Sequence, residues 1–183
     1  MKPVCLVLGA GAGIGGTVAA KFASEGYHSC LCRRSDQEGL DRLVKGIENE
    51  GGSANGYLIN AIEDNAIEDL INTIESDVGP IEVVVYNLGA QTGMKLLKDT
   101  SHKEFEWGWR MASLGLFRVA KVLCPIMKER GKGTILVTSA TAAMRGNATQ
   151  HSHAAAMGAR RMLCQSLNAE FSASGIHVAH IVI

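Results

Sequence analysis

A glycine-rich stretch near the N-terminus carries the clearest chemistry in this sequence. Residues 8–16 read Leu-Gly-Ala-Gly-Ala-Gly-Ile-Gly-Gly, directly after the apolar run Val4–Leu8 and directly before a segment with helical spacing. Backbone N–H groups at such a helix start can approach a pyrophosphate because no Cβ atoms stand in the way, and the helix dipole favours negative charge. The stretch therefore predicts a dinucleotide site, with a tight turn that binds no ligand as the alternative.

Two overlapping glycine patterns fit this stretch. The pattern Gly11-x-Gly13-x-x-Gly16 matches the general dinucleotide fingerprint, whereas Gly9-x-x-x-Gly13-x-Gly15 begins at the strand end. We favour the second pattern because Gly9 is the residue at which the chain must turn.

A pair of arginines follows the second apolar run, His28–Cys32. An NAD site has an Asp or Glu at this place to accept the ribose hydroxyls. Arg33 and Arg34 instead offer guanidinium groups that can grip a 2′-phosphate with two hydrogen bonds. The sequence predicts NADP as the cofactor, with NAD as the second choice, and two solvent-exposed arginines without a ligand as the alternative.

Strand-length apolar runs alternate with segments of helical spacing along the whole chain. The predicted strands are Val4–Leu8, His28–Cys32, Ala54–Ile59, Ile81–Tyr86, Thr134–Thr138 and Ile176–Ile183, and the predicted helices are Gly15–Glu25, Gln37–Glu50, Asp64–Asp77, Ser101–Glu129 and Ser152–Ser174. Such alternation indicates a parallel sheet covered on both sides. The predicted fold class is α/β, a doubly wound, three-layer Rossmann fold in one domain over residues 1–183. Pro125 is expected to kink the fourth helix.

Composition narrows the classes of protein that remain. A length of 183 residues suits one domain, and 18 Lys plus Arg against 18 Asp plus Glu give no support for a nucleic-acid partner. The run Val4–Leu8 is too short for a signal peptide or a membrane span. Five scattered cysteines without a C-x-x-C pair are typical of reduced core residues. We therefore predict a cytoplasmic protein without a membrane or nucleic-acid partner.

Four stretches together resemble the short-chain dehydrogenase/reductase family over essentially the whole chain. Residues 9–15 resemble its cofactor glycine motif, and residues 86–89, Tyr-Asn-Leu-Gly, resemble the Asn-Asn-Ala-Gly motif that ends its fourth strand. Residues 133–139, Gly-Thr-Ile-Leu-Val-Thr-Ser, resemble the fifth strand, which leads to the catalytic serine. Residues 175–178 resemble the sixth strand. Their common order and spacing make this resemblance more specific than any one motif.

The resemblance implies hydride transfer between a nicotinamide cofactor and a carbonyl or alcohol. It implies that the pyrophosphate lies against the glycine turn and the 2′-phosphate against Arg33. Asn60 falls where the family usually has an Asp beside the adenine, and Asn87 and Gly89 would border the riboses. The predicted cofactor-binding residues are Gly9, Gly11, Gly13, Ile14, Arg33, Arg34, Asn60, Asn87 and Gly89.

The family's catalytic positions are replaced in this chain. Family members use a tyrosine as proton donor, a lysine four residues later, a serine thirteen residues earlier and an asparagine in the preceding long helix. Matching the surrounding motifs puts His153 at the tyrosine, Met157 at the lysine, Ala140 at the serine and Ala112 at the asparagine. No Tyr-x-x-x-Lys occurs anywhere in the sequence. With Met157 in place of the cation, the site is expected to be less positive.

Two residues can still serve chemistry at this site. Imidazole has a reference pKa of about 6.5, so His153 is a candidate proton donor, and Ser139 offers a hydroxyl to a ligand. A metal site is not predicted, because His151 and His153 are two residues apart and cannot share one helical face. Three hypotheses remain open: an oxidoreductase with an unusual proton donor, a dinucleotide-binding pseudoenzyme that acts as redox sensor or scaffold, and an interaction protein without cofactor.

The predicted partners are a small carbonyl or alcohol substrate and a second copy of the chain. The helices Ser101–Glu129 and Ser152–Ser174 are expected to form the homo-oligomer contact. Family members tend toward roughly 250 residues in one domain. The resemblance therefore also predicts that the sequence is a fragment or a truncated copy, incomplete after the sixth strand.

Overall fold

The computed structural model describes residues 1–89 and 93–183 and contains one six-stranded parallel sheet. The strands are β1 (Val4–Leu8), β2 (His28–Arg33), β3 (Ser53–Leu58), β4 (Ile81–Tyr86), β5 (Gly133–Ser139) and β6 (Ile176–Val182). Their order across the sheet is β3-β2-β1-β4-β5-β6, and neighbouring strands are parallel. The chain thus runs outward from β1 to β3 and then outward again from β4 to β6, which confirms the doubly wound Rossmann fold.

The described residues also form six α-helices, five of which pack on the sheet. They are α1 (Ile14–Ser24), α2 (Gln37–Asn49), α3 (Ala66–Asp77), α4 (His102–Trp109), α5 (Gly115–Arg130) and α6 (His151–Phe171). Helices α1 and α2 pack on one face of the sheet, while α3, α5 and α6 pack on the other. Both faces of the central strand β1 are therefore buried, as its unbroken apolar sequence predicts.

The predicted single helix over residues 101–129 is wrong in one respect. Helices α4 and α5 are joined by a π-helical turn, Arg110–Leu114, rather than forming one regular helix. In such a turn the backbone is wider, and π turns are frequent at functional sites. Pro125 lies inside α5, which continues to Arg130, and α6 ends at Phe171 in a short 3₁₀ turn.

Two further structural findings bear on function. All five cysteines are free and buried in the core, as predicted. None of the described helices is long and apolar enough to cross a bilayer.

Candidate functional site

The ends of β1, β2 and β4 meet at the point where the strand order reverses. The N–H groups of Gly9 and Ala10 donate to the Cys32 carbonyl at 2.9 and 2.8 Å. The Asn87 N–H donates to the Leu8 carbonyl at 2.8 Å. In open α/β sheets, this crevice beyond the carboxyl ends of the strands is where ligands bind.

The glycines of the first turn fall into two groups. A Cβ on Gly9 would lie 2.6 Å from the Asn87 carbonyl oxygen, and one on Gly15 would lie 2.3 Å from the Gly9 carbonyl oxygen. Gly9 also has a φ of +95°, so it is the turning residue that the favoured pattern requires. A Cβ on Gly11 or Gly13 would meet nothing within 4 Å. Packing leaves those two positions open, as a surface that a phosphate approaches needs to be.

Asn87 holds the strand ends together. Its Nδ2 donates to the Gly9 carbonyl at 2.9 Å, and its Oδ1 accepts from the Thr138 hydroxyl at 2.8 Å. The side chain therefore links the glycine turn to the end of β5. Through these two hydrogen bonds one amide fixes the geometry of a crevice that is formed by the glycine turn and the ends of β4 and β5.

Both predicted arginines border a cavity of about 370 Å³ beside the glycine turn. Arg33 is held in place, because its guanidinium lies 3.0 Å from the Asp36 carboxylate, which itself caps α2 by accepting from the Gly39 N–H. Arg34 is exposed. The lining residues are Gly9, Gly11, Arg33, Arg34, Ser35, Asn87, Leu88, Gly89, Trp107 and Met111.

Asn60 lies in a small adjoining pocket of about 30 Å³, together with Arg33 and Arg34. Its Nδ2 donates to the Glu63 carboxylate at 2.9 Å. The Asn60 amide therefore already has a hydrogen-bond partner, Glu63. It still lies beside Arg33 and Arg34, the two arginines that the sequence also predicts to bind the cofactor.

A second large cavity, of about 440 Å³, lies on the other side of Asn87 and brings both predicted catalytic residues together. Its wall is formed by Ile14, Asn87, Leu88, Gly89, Thr138, Ser139, Ala140, Thr141, Ala142, Gln150, His153, Met157, Arg160 and Ile183. The Ser139 hydroxyl lies 3.6 Å from the Met157 sulfur. The Nδ1 atom of His153 is buried and finds no hydrogen-bond partner among the described residues. Gly13 lies at the start of α1, outside this wall.

Sequence reasoning missed Arg160, a cation at this cavity. Its side chain is only 1% exposed, and its guanidinium donates to three backbone carbonyls: Ala112 (3.0 Å), Thr138 (2.8 Å) and Leu88 (2.7 Å). Burial lowers its pKa, but an arginine side chain stays protonated in proteins. Arg160 follows Met157 by three residues, about one turn of α6, so the cavity has a cation near the position that Met157 occupies.

Tyr86, at the end of β4, packs against this arginine. The guanidinium carbon lies 5.1 Å from the centre of its ring, within the range of a cation–π contact. The Tyr86 hydroxyl donates to the Met111 carbonyl at 2.5 Å, and burial raises the pKa of this phenol. The π turn between α4 and α5 is thus contacted by both side chains.

The comparisons with known proteins agree with this geometry. A family model described as short chain dehydrogenase matches residues 3–183. The chain belongs to the short-chain dehydrogenase/reductase family. Among solved structures, this family member is similar to a short-chain dehydrogenase from Rhodopseudomonas palustris, with a TM-score of 0.93 and 31% identity over 98% of this chain and 84% of that one.

Two further relatives extend the comparison. The chain is 30% identical over 154 residues to the 3-oxoacyl-(acyl-carrier-protein) reductase of Thermotoga maritima, covering 83% of this chain and 61% of that protein. It is also similar to the structure of a gluconate 5-dehydrogenase from Burkholderia cenocepacia in complex with NADP and tartrate, with a TM-score of 0.89, 26% identity and coverage of 98% and 70%. The chain therefore spans about three fifths of the length of the curated reductase that it matches.

Proposed function

We propose that residues 1–183 form an NADP(H)-binding domain that transfers a hydride between the nicotinamide and a small carbonyl or alcohol. The observation that carries this proposal is that Asn87, Leu88 and Gly89 border both the arginine-lined cavity and the cavity with Ser139 and His153. A dinucleotide laid across that shared edge would reach from one cavity to the other. The NADP complex of the related gluconate 5-dehydrogenase supports the choice of cofactor.

The chain's own residues fit the two ends of such a dinucleotide. The open positions at Gly11 and Gly13 would receive the pyrophosphate, and Arg33, with Arg34 beside it, would bind the 2′-phosphate. Ile14 and Gly89 lie in the wall of the cavity that contains Ser139 and His153, which we call the catalytic cavity. The nicotinamide end would enter there. When bound there, NADPH supplies the hydride that reduces a carbonyl carbon, and NADP accepts one in the reverse direction.

His153 serves as the proton donor in this proposal. The His153 imidazole lies in the wall of the cavity, and a neutral ring has an N–H to donate to a substrate oxygen there. Ser139 orients the same oxygen. Among the described residues its hydroxyl has only a weak sulfur acceptor, the Met157 sulfur at 3.6 Å, which a substrate oxygen readily replaces. In carbonyl reduction the carbonyl carbon accepts the hydride and the oxygen accepts the proton from His153, which yields a neutral alcohol.

A dinucleotide-binding pseudoenzyme is the second candidate. The observation that favours it is the replacement of the usual catalytic groups by Ala112, Ala140 and Met157, whose side chains cannot exchange a proton. Such a protein would bind NADPH and act as a redox sensor or scaffold. The interaction protein without cofactor remains as a third candidate, and tight binding of either nicotinamide nucleotide would exclude it.

One experiment separates these candidates. NADPH is titrated into the protein while its fluorescence and the melting temperature of the protein are followed, and absorbance at the nicotinamide band is then recorded over a panel of carbonyls. Both binding candidates predict stabilisation of about 2.7 kcal/mol at a hundredfold excess over Kd. Turnover that is lost in His153→Ala but kept in the neighbouring control His151→Ala establishes the oxidoreductase. Binding without any turnover establishes the pseudoenzyme.

A homo-oligomer through α4, α5 and α6 is part of the same proposal. Phe105, Trp109, Phe117 and Met162 are between 44% and 49% exposed on these helices, which is a large apolar surface for a free helix face. A second copy of the chain would cover it. We propose the cytoplasm as the compartment, in keeping with the five free cysteines.

A further inference from the structure

We propose that Arg160 is the positioning cation of this site, which fixes the ends of β4 and β5 beneath the cavity and stabilises negative charge on the substrate oxygen. This inference rests on the proposed function, since it assigns a role in the same hydride transfer. It concerns a residue that none of the family motifs in this sequence includes.

The hydrogen bonds of Arg160 define its positioning role. Its three acceptors come from three segments far apart in the sequence: the π turn at Ala112, the end of β5 at Thr138, and Leu88 just after β4. Ser139 follows Thr138 directly, and Gly89 follows Leu88. The guanidinium therefore holds the two backbone segments, at Thr138 and Leu88, that lead directly to Ser139 and Gly89 in the cavity wall. A planar group with five donors in a fixed arrangement suits this task better than an ammonium group does.

The charge of Arg160 is not neutralised locally. No ion pair in the part of the chain that the structure describes includes it. Its neighbours are carbonyl oxygens and the face of the Tyr86 ring, which stabilise a cation without cancelling its charge. The charge reaches beyond these contacts: the pKa of His180 is lowered, first by burial and then by Arg161 and Arg160.

A buried cation beside the cavity has a defined use in carbonyl reduction. As the hydride reaches the carbonyl carbon, the C=O π electrons move to the oxygen, which carries negative charge until a proton from His153 neutralises it. Arg160 lies in the cavity wall, and a charge in a low-dielectric environment acts over several ångströms. Because its side chain is 1% exposed, it acts on this oxygen through the field and through the backbone that it holds, not by direct contact.

Two substitutions of similar length separate the charge from the rest of the side chain. Arg160→Lys keeps the charge with fewer hydrogen bonds, whereas Arg160→Met removes both. We expect Arg160→Met to lower kcat for carbonyl reduction by roughly a hundredfold and to leave the Kd for NADPH within about threefold. Arg160→Lys is expected to lower kcat less than Arg160→Met does, because it keeps the charge and loses only part of the hydrogen bonding. The deuterium isotope effect with 4-deuterated NADPH should rise in Arg160→Met, which a purely structural role would not produce.

A second measurement does not depend on turnover. Acetate, as a small oxyanion probe, is titrated into the wild type while the His153 ring resonances are followed by NMR, with His153→Ala used to assign them. We expect acetate to shift the His153 ring resonances. Arg160→Met should weaken this binding at least about tenfold, and Arg160→Lys should weaken it less because it keeps the charge.

The outcomes distinguish this inference from the proposed function. If the wild type binds NADPH but reduces no carbonyl, the proposed hydride transfer fails, and the acetate titration still decides the role of Arg160. If folded Arg160→Met retains wild-type kcat or acetate affinity, or if Arg160→Lys loses as much as Arg160→Met, the inference is overturned. If Arg160→Met does not fold, the wild type and Arg160→Lys still test the inference. No acetate binding in the wild type overturns the inference, whereas acetate binding that is retained in Arg160→Lys supports it.

Discussion

Tyr86 and Arg160 reach the same π turn from different elements and contact each other on the way. The Tyr86 hydroxyl donates to the Met111 carbonyl, and the Arg160 Nε donates to the carbonyl of the next residue, Ala112. Buried carbonyls need hydrogen-bond partners, and these two side chains provide them where the regular helix is interrupted. One buried arginine thus links Tyr86 and Ala112, the two residues that the resemblance predicts at positions where the family has an asparagine.

The residue at position 115, at the start of α5, has to be a glycine because the Tyr86 hydroxyl occupies the space that a side chain would need. A Cβ at this position would lie 2.2 Å from the Tyr86 Oη and 3.4 Å from its ring carbon. We predict that Gly115→Ala lowers the free energy of unfolding by about 1–3 kcal/mol, as expected for overpacking. Urea denaturation followed by circular dichroism measures the change.

The double variant isolates the cause of that loss. Tyr86→Phe removes the clashing oxygen and one hydrogen bond, at a cost of about 1 kcal/mol. In this background Gly115→Ala should be neutral or stabilising, because alanine favours a helix over glycine by about 1 kcal/mol. Additive losses in the double variant would contradict the contact between Gly115 and Tyr86.

Gly11 offers a test of the phosphate site that spares the fold. Because a Cβ at this position would meet nothing within 4 Å, we predict that Gly11→Asp changes the free energy of unfolding by less than about 1 kcal/mol. Its carboxylate would repel the pyrophosphate, so the Kd for NADPH should rise at least about tenfold. Gly11→Asn is the matched control, with the same shape and no charge. Equal losses of affinity in the two variants would show that bulk, not charge, blocks this position.

Arg33 should determine the preference for NADPH over NADH. A charge-assisted hydrogen bond contributes about 1.5–3 kcal/mol, so Arg33→Ala is predicted to weaken NADPH binding roughly tenfold or more while NADH binding changes little. Fluorescence titration with both nucleotides gives the ratio. Arg42→Ala is the control, since Arg42 is exposed on α2 and does not belong to the lining of this cavity. An unchanged ratio in Arg33→Ala would disprove the assignment.

The sheet could be predicted from the sequence because its strands are buried on both faces. The run Val4–Leu8 is apolar throughout, and the observed β1 has the same bounds as the predicted strand. The interruption between α4 and α5 could not be predicted. Ala112 and Leu116 are four residues apart and both buried, so their spacing fits a continuous helix and gives no sign of the π turn.

The burial of Arg160 could not be predicted from the sequence either, because its partners are distant along the chain. Arginines on helices are usually exposed, and local patterns place this one next to Arg161 at a surface. Its burial depends on carbonyl acceptors that lie 22, 48 and 72 residues away in the sequence. Only tertiary structure brings those acceptors together, whereas the glycine turn and Asn87 could be identified because their motifs are local.

The exposed aromatic residues of α4 and α5 predict an oligomer that a single charge would split. Phe117 is 48% exposed and lies beside a surface cavity formed with α6. We expect Phe117→Glu to convert a dimer or larger assembly to a monomer in size-exclusion chromatography with light scattering. Leu58→Glu, at a residue that is 43% exposed on the edge strand β3, should leave the assembly unchanged. A monomeric wild type would refute this contact.

Glu104 should give the first turn of α4 a pH dependence in the acid range. Its carboxylate accepts hydrogen bonds from Lys95 and from the Ser101 backbone and hydroxyl, while the Ser101 hydroxyl caps the helix. These bonds, the one from Lys95 above all, lower the pKa of Glu104 to about 2 from its ordinary value of 4.5. Because the pKa is depressed in the folded state, the stabilisation is complete above about 4.5 and is lost as the pH falls toward 2.

NMR titration of the Glu104 carboxyl carbon measures this directly, and the Ser101 and Glu104 amide resonances should shift in the same pH window. Lys95→Met removes the largest cause, so the pKa of Glu104 should move back toward its ordinary value. Glu104→Gln keeps a capping side chain without a titrating group, so its amide resonances should not follow pH in this range. A Glu104 pKa that stays the same in Lys95→Met would rule out the ion pair as the cause, leaving the Ser101 bonds of the helix cap to account for the shift.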